Sequence, residues 1–258
     1  MAAAYNLVYD GSFDGFLSCV FETYRLKLTD VSITRSADFQ VSLFGSEIEV
    51  ATDCKKADRV WKGLKKKLTA RGRSRLYYAF CSENTQVEEL MLRYIQYAFG
   101  SKDPIDSDFS NPDVLGIAQL AKSVGREKHR MEAFVRFRLT RDDIYFATIA
   151  PDFNVLPLIV KHFKSRYADQ SWIIYDLHRQ FGIYYNLKEI QTVTYEFPSD
   201  FDPLKTTDEF FGSAEMEFQT LWQDYFKSTN IAARKNLKLH IRHIPKRYWK
   251  YLSEKRVE

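Results

Sequence analysis

The sequence is sparing with the residues that interrupt regular structure, with 10 glycines and 7 prolines among 258 residues. It holds no internal repeat and no low-complexity tract, so its composition is that of a folded, soluble chain. Cysteine is scarcer still. Cys19, Cys54 and Cys81 are odd in number, far apart and without C-x-x-C spacing, which excludes a disulfide framework or a zinc knuckle and fits a reducing cytoplasm. No apolar run approaches the roughly 20 residues that cross a bilayer. The opening "MAAAYNLVYDGSF" has no basic segment followed by an apolar stretch, so no secretion signal and a cytoplasmic location are expected. The Walker loop, the dinucleotide fingerprint, the G-x-S-x-G elbow and the H-E-x-x-H zinc helix are all missing. Excess charge is also modest. A net charge of +4 and a pI near 8.8 do not identify a polyanion partner, so the placement of the cations matters more than their number.

Aromatic residues are abundant at 16%, mostly 20 Phe and 16 Tyr, and give large buried area per residue. A sizeable core is therefore attainable at this length. "YNLVYD" (Tyr5–Asp10) reads as a strand with Gly11 at the turn. Ser12 caps a helix through Phe13, Phe16, Leu17, Val20, Phe21 and Tyr24. "SEIEVAT" (Ser46–Thr52) is a second strand. In "DCKKADRVWKGLKKKLT", Ala57, Val60, Trp61, Leu64 and Leu68 share one helical face and lysines take the rest. Thr85 with Glu88 forms a capping-box pattern before a helix through Tyr94 and Ala98. Asn111, Pro112 and Asp113 open another, expected to end near Met131.

The middle of the chain changes period. "AFVRFRL" and "DIYFATI" predict an antiparallel pair joined by "TRDD", with Arg136 and Arg138 on the face opposite Ala133, Val135, Phe137 and Leu139. A helix through Leu158, Val160 and Phe163 follows. "SWIIYD", "FGIYYN" and "QTVTYEF" add three strands. Pro198 to Gly212 reads as a surface connection, and helices from Glu215 to Thr229 and through "IPKRYWKYL" finish the chain. The expectation is an α+β fold, a central antiparallel sheet of about five strands with helices before and after it. It is read as one domain over 1–258: a mainly helical part (1–110), a helix plus antiparallel sheet (111–197) and a basic helical part (198–258).

Basic residues concentrate in Lys55–Arg75, Arg126–Arg138 and Arg234–Arg256. Cations that neutralise phosphates and aromatic faces that stack on bases are what a single-strand binder needs. For the lysine-rich helix ordinary amphipathicity is the preferred reading, whereas the other two segments suit either. The candidate nucleic-acid contacts are Arg126, Lys128, His129, Arg130, Arg136, Arg138, Arg234, Lys246, Arg247 and Trp249. Arginine predominates in the middle segment, where its planar fork suits phosphate. A metal-dependent nuclease is disfavoured, because Pro151-Asp152 is followed by no acidic-x-Lys strand. Asp169, Asp176 and His129 are the candidates for acid–base work, although an Asp176–Arg179 pair fixing a sheet edge accounts for the same residues.

Four blocks carry a family resemblance: "YDGSFDGFLSCVFETY", "VGREKHRMEAFVRF", "PDFNVLPLIVKHFKSRYADQSWIIYDLHR" and "ARKN…IPKRYWKYL". In these the chain resembles a bacterial family of DNA metabolism proteins with no assigned mechanism, over nearly its whole length. The resemblance implies a domain of unknown function encoded beside a radical SAM protein of DNA modification or repair. Some relatives are fused to a uracil-DNA glycosylase-like domain, whereas this chain looks like the stand-alone form. It has no C-x-x-x-C-x-x-C site, so no cofactor is expected here, and an iron–sulfur cluster and SAM are expected only in the partner. Gly125, Arg126, His129, Arg130, Asp169, Trp172, Asp176 and Trp249 match motif positions without a known role. The resulting expectation is a nucleic-acid-binding accessory protein of DNA repair or modification, with no membrane contact. The alternatives are an enzyme acting on a nucleotide or base, and an adaptor that touches only protein. No catalytic motif is established, so the enzyme is the less favoured reading.

Overall fold

Alternation of buried and half-exposed side chains along Tyr5–Tyr9 places Leu7 and Tyr9 inward and makes β1 the middle of a three-stranded sheet. The computed structural model describes residues 5–39, 46–195, 210–211, 215, 221, 241–252 and 255. Two compact units are distinguished along the chain, Met1–Gly125 and Arg126–Glu258.

In the first unit β1 pairs in parallel with β2 (Val31–Arg35) on one side and β3 (Ser46–Glu49) on the other, in the order β2-β1-β3. Parallel neighbours need a crossover. Helix α1 (Phe13–Arg25) supplies it between β1 and β2, and starts where the Ser12 hydroxyl accepts from the Gly15 N–H at 2.9 Å. Helices α2 (Cys54–Lys67), α3 (Ala70–Phe80), α4 (Val87–Gly100) and α5 (Pro112–Phe134) follow. The 1–110 region was expected to be mainly helical, and it carries this parallel sheet as well. Asp53 caps α2 through the N–H groups of Lys55 and Lys56, Thr69 caps α3 through that of Gly72, and Asn111 caps α5 through those of Asp113 and Val114. The core joins Leu7, Tyr9, Phe16, Leu17, Val20, Leu64, Leu76, Met91 and Ile95. Truncating one of its leucines to alanine is worth about 3 kcal/mol.

The Thr85–Glu88 capping box does not form. Gln86 adopts a left-handed backbone (φ 65°) ahead of α4, without a side-chain cap. Glu88, needed to reach back, instead turns inward and accepts from the Tyr9 hydroxyl (2.9 Å) and Arg35 Nε (2.7 Å). A buried ion pair with a buried phenol outweighs a surface cap here. Burial, with the Glu88 charge beside it, pushes the Tyr9 hydroxyl far up.

In the second unit the strands β4 (Arg138–Leu139), β5 (Tyr145–Ile149), β6 (Trp172–Asp176), β7 (Phe181–Tyr185) and β8 (Ile190–Val193) lie in chain order across one sheet. The five-stranded sheet of an α+β fold is therefore present, but it is mixed rather than antiparallel. Helix α6 (Leu156–Arg166) carries the chain from β5 back to the same end of the sheet, so β6 runs parallel to β5, with Tyr145 opposite Trp172. The other three neighbouring pairs are antiparallel. Trp172 is fully buried among Phe137, Phe163 and Tyr185. Lys246–Tyr251 forms a 3-10 turn. The surface connection at 198–212 and the helix at 215–229 lie almost wholly outside the described residues.

The strand expected over "AFVRFRL" is shorter than its sequence pattern. Helix α5 continues to Phe134, three residues past the expected end, and β4 holds only Arg138 and Leu139. Arg136 thus lies between elements, and Arg138 is buried (5% exposed), with its guanidinium 4.3 Å from the Phe211 ring centre. The two arginines form no outward strand face. A guanidinium can be buried where an aromatic face replaces water, which alternation of residue types cannot reveal.

Candidate functional site

Cations and aromatic rings meet in several places, and two such regions, one in each unit, bear on the candidate contacts. The first lies on α3. Arg71, Arg75 and Tyr78 recur at helical spacing (i, i+4, i+7), as do Leu115, Ala118, Gln119 and Lys122 on α5. With Ser74, Ala121 and Phe109 they line an open groove of about 760 Å³. Phe109 is 47% exposed, and the Arg75 guanidinium sits 5.4 Å from its ring centre. Arg71 and Lys122 are exposed and take part in no ion pair among the described residues.

The loop before α5 is held by Asp106, which is buried. Its Oδ2 accepts from the Thr69 N–H at 3.0 Å, and its carbonyl accepts from Arg75 Nη1 at 2.8 Å. The approach is allowed because residue 72 is glycine. A Cβ there would stand 1.4 Å from Asp106 Oδ1. Phe109 is therefore presented by a loop tied to the first turns of α3.

The second region joins residues 120 positions apart. Glu127, on α5 and 1% exposed, accepts from the Tyr248 hydroxyl on Oε1 (2.5 Å) and from Arg247 Nη2 on Oε2 (3.1 Å). Arg130 Nη1 approaches the same Oε2 at 3.4 Å, and the backbone N–H of Asp152 donates to Oε1 at 3.1 Å. Arg247 Nη1 pairs with the Asp152 carboxylate at 2.5 Å. Burial first, then Glu127, pushes the Tyr248 hydroxyl above the normal tyrosine range. Beside it, Arg179 donates to Asp176 Oδ2 (2.9 Å) and to the carbonyls of Pro151 (3.1 Å) and Asp152 (3.2 Å). Asp176 Oδ1 accepts from the N–H groups of His178 and Arg179. Burial raises the Asp176 carboxyl although Arg179 opposes it.

The residues singled out from the sequence are distributed unevenly over this picture. Arg130 and Arg247 meet on Glu127, while Lys128 pairs with Glu132 at 2.5 Å. Arg136 Nη1 donates to the carbonyls of Ala133 and Val135. Lys246 lies 6.0 Å from the Trp249 ring centre, and Trp249 donates to the Ile244 carbonyl. Arg126 and His129 are exposed on α5, and Asp169 is exposed before β6. Asp176 is fully buried at the sheet end with Arg179, the pairing the sequence suggested. Arg234 lies outside the described residues. Of the three basic segments, Lys55–Arg75 belongs to the first unit and the other two to the second. Sequence reading missed Glu127, a glutamate within a basic run. It also passed over the α3 stripe, although the spacing of Arg71, Arg75 and Tyr78 was available to find it.

Among the described residues no group of three or more His, Cys, Asp or Glu side chains is placed to share a metal ion, and no helix is long and apolar enough to cross a membrane. The fold is α+β with one parallel and one mixed sheet, and a family model described as a domain of unknown function (DUF4130) matches residues 85–254. The chain belongs to that family. No curated protein matches it. Among solved structures it is similar to the pGpG-specific phosphodiesterase PggH from Vibrio cholerae, at 11% identity and a TM-score of 0.32. That match covers 71% of this chain and 81% of the other.

Proposed function

We propose that the protein is a nucleic-acid-binding accessory of DNA repair or DNA modification, working beside a radical SAM enzyme that carries the cluster and SAM. The observation that supports it is the α3 groove, which Arg71, Arg75 and Lys122 line together with Tyr78 and Phe109, Arg75 lying over the Phe109 ring. Cations that are not already neutralised can release counterions from phosphates, and an exposed ring gives a base somewhere to stack. The cations first expected to do this are weaker candidates, because Lys128, Arg130 and Arg247 already face carboxylates. The acid–base alternative has less support still: both oxygens of buried Asp176 are occupied.

The test is fluorescence anisotropy with labelled single-stranded DNA across a salt series. Arg71→Ala with Lys122→Ala is expected to lower the log–log salt slope by about 1.4, at about 0.7 per lost phosphate contact on a single strand. Phe109→Ala is expected to cost about 1–3 kcal/mol of affinity while leaving the slope unchanged. Wild-type binding that neither change affects would place the polynucleotide elsewhere. No binding at moderate salt would favour the protein-only adaptor.

A further inference from the structure

The neighbouring face of α3 borders a second cavity, about 430 Å³ in volume, lined by α1, α2 and α3. That size falls within the roughly 300–1,000 Å³ of small-ligand sites. Its aromatic wall is made of Phe13, Trp61 and Tyr77. Phe13 packs edge-on against both other rings, with centres 5.7 Å from Trp61 and 5.1 Å from Tyr77. Asp14, in the first turn of α1, and Asp58, in α2, place two exposed carboxylates in the lining. Arg73 is the one cation of the lining, and its Nη1 is fixed on the Leu68 carbonyl at 2.7 Å.

We propose that this cavity binds a single nucleotide whose base offers neighbouring N–H donors, the guanine edge above all. The rings supply faces for a flat heterocycle, and a carboxylate accepts the paired N1–H and N2–H of guanine as a fork. Arg73 keeps further N–H groups for a phosphate. A purely cationic ligand such as a lysine side chain fits less well. Lys55, Lys62, Lys65 and Lys66 are exposed along α2 and repel it, whereas a nucleotide carries both the donors and the negative charge. The Tyr77 hydroxyl, pushed up to about 12 by burial and then by the charge of and hydrogen bond to Cys81, with Asp14 adding to it, stays neutral across the physiological range. The cavity is separate from the α3 groove apart from Ser74, which lines both.

The experiment is titration of the full chain with dGMP, dAMP, dCMP and dTMP. It is followed by Trp61 fluorescence, with Trp61→Phe as the reference for the other tryptophans, and by calorimetry. Binding of dGMP at least about tenfold tighter than dTMP is expected, with Asp14→Asn or Asp58→Asn removing about that factor. Both aspartates are exposed, so these variants keep the fold, and circular dichroism checks it. The proposal is overturned by equal binding of all four nucleotides or by none up to about 1 mM. It is also overturned by unchanged dGMP affinity in both aspartate variants, or by a lysine-rich peptide displacing dGMP. Single-stranded DNA binding, measured separately with the Arg71→Ala and Lys122→Ala variant, reports on the groove alone. The failure of one site therefore does not read as the failure of the other.

Discussion

The α3 groove and the Glu127 network draw on the same residue types and arrive at opposite electrostatics. In the groove, Arg71 and Lys122 face solvent beside half-exposed rings. Around Glu127, Arg130 and Arg247 surround one buried carboxylate, and Tyr248 completes its hydrogen bonding. The first arrangement keeps positive charge available for a ligand. The second spends it on fastening the 3-10 turn of Lys246–Tyr251 to α5. Charge density along a sequence therefore identifies neither a binding surface nor a fastening until the carboxylates are located.

The largest test of this contrast is Glu127→Ala. It leaves Arg247 and Tyr248 facing a vacated buried site, and is expected to cost about 3 kcal/mol of stability, read by denaturant unfolding. If the network is only a fastening, single-stranded DNA affinity per folded molecule stays as in the parent. A gain in affinity instead would show that Glu127 had been masking cations. A smaller test uses pH. Burial raises the Asp176 carboxyl, so its contribution to stability is present in acid and declines as pH rises through that raised value. Glu22 behaves in the opposite sense. Burial alone would raise it, but Lys56 and Arg25 outweigh burial and hold it below its usual value. Its contribution is present above the ordinary glutamate range and is lost as pH falls through the lowered value. Unfolding followed between about pH 3 and 7 should show Asp176→Asn losing the decline toward neutral pH, and Glu22→Gln losing the decline toward acid. The smallest effect is expected for Lys128→Ala, which removes a partly exposed i, i+4 pair with Glu132. It should change stability by less than about 0.5 kcal/mol and leave DNA binding unaltered. A large drop in DNA affinity would restore the basic end of α5 as a contact surface.

Most elements were legible because their signals are local. Ser12, Asn111 and Pro112 open helices where their capping chemistry requires, and β5, β6 and β7 of the second sheet stand where alternation places them. What was not legible depends on partners distant in sequence. The parallel β5–β6 pairing follows from α6 returning the chain, and β2 (Val31–Arg35) is short and only half-buried at the sheet edge. Glu88 was read as a cap because Tyr9 and Arg35, its actual partners, are 79 and 53 residues away. Arg138 was placed outward because the Phe211 face that accommodates it is also remote. The candidate site followed the same rule. Asp176 with Arg179 is a local pair and was read as one, whereas the role of Glu127 depends on residues at the far end of the chain.

Gly72 has an influence that extends past its own position. Any larger residue there would meet the Asp106 carboxylate, whose bond to the Thr69 N–H ties the loop bearing Phe109 to α3. A screen for lost affinity could therefore return this small, buried position, which touches no ligand. Such a hit would report the bearing on which the stacking platform turns, rather than a new point of contact.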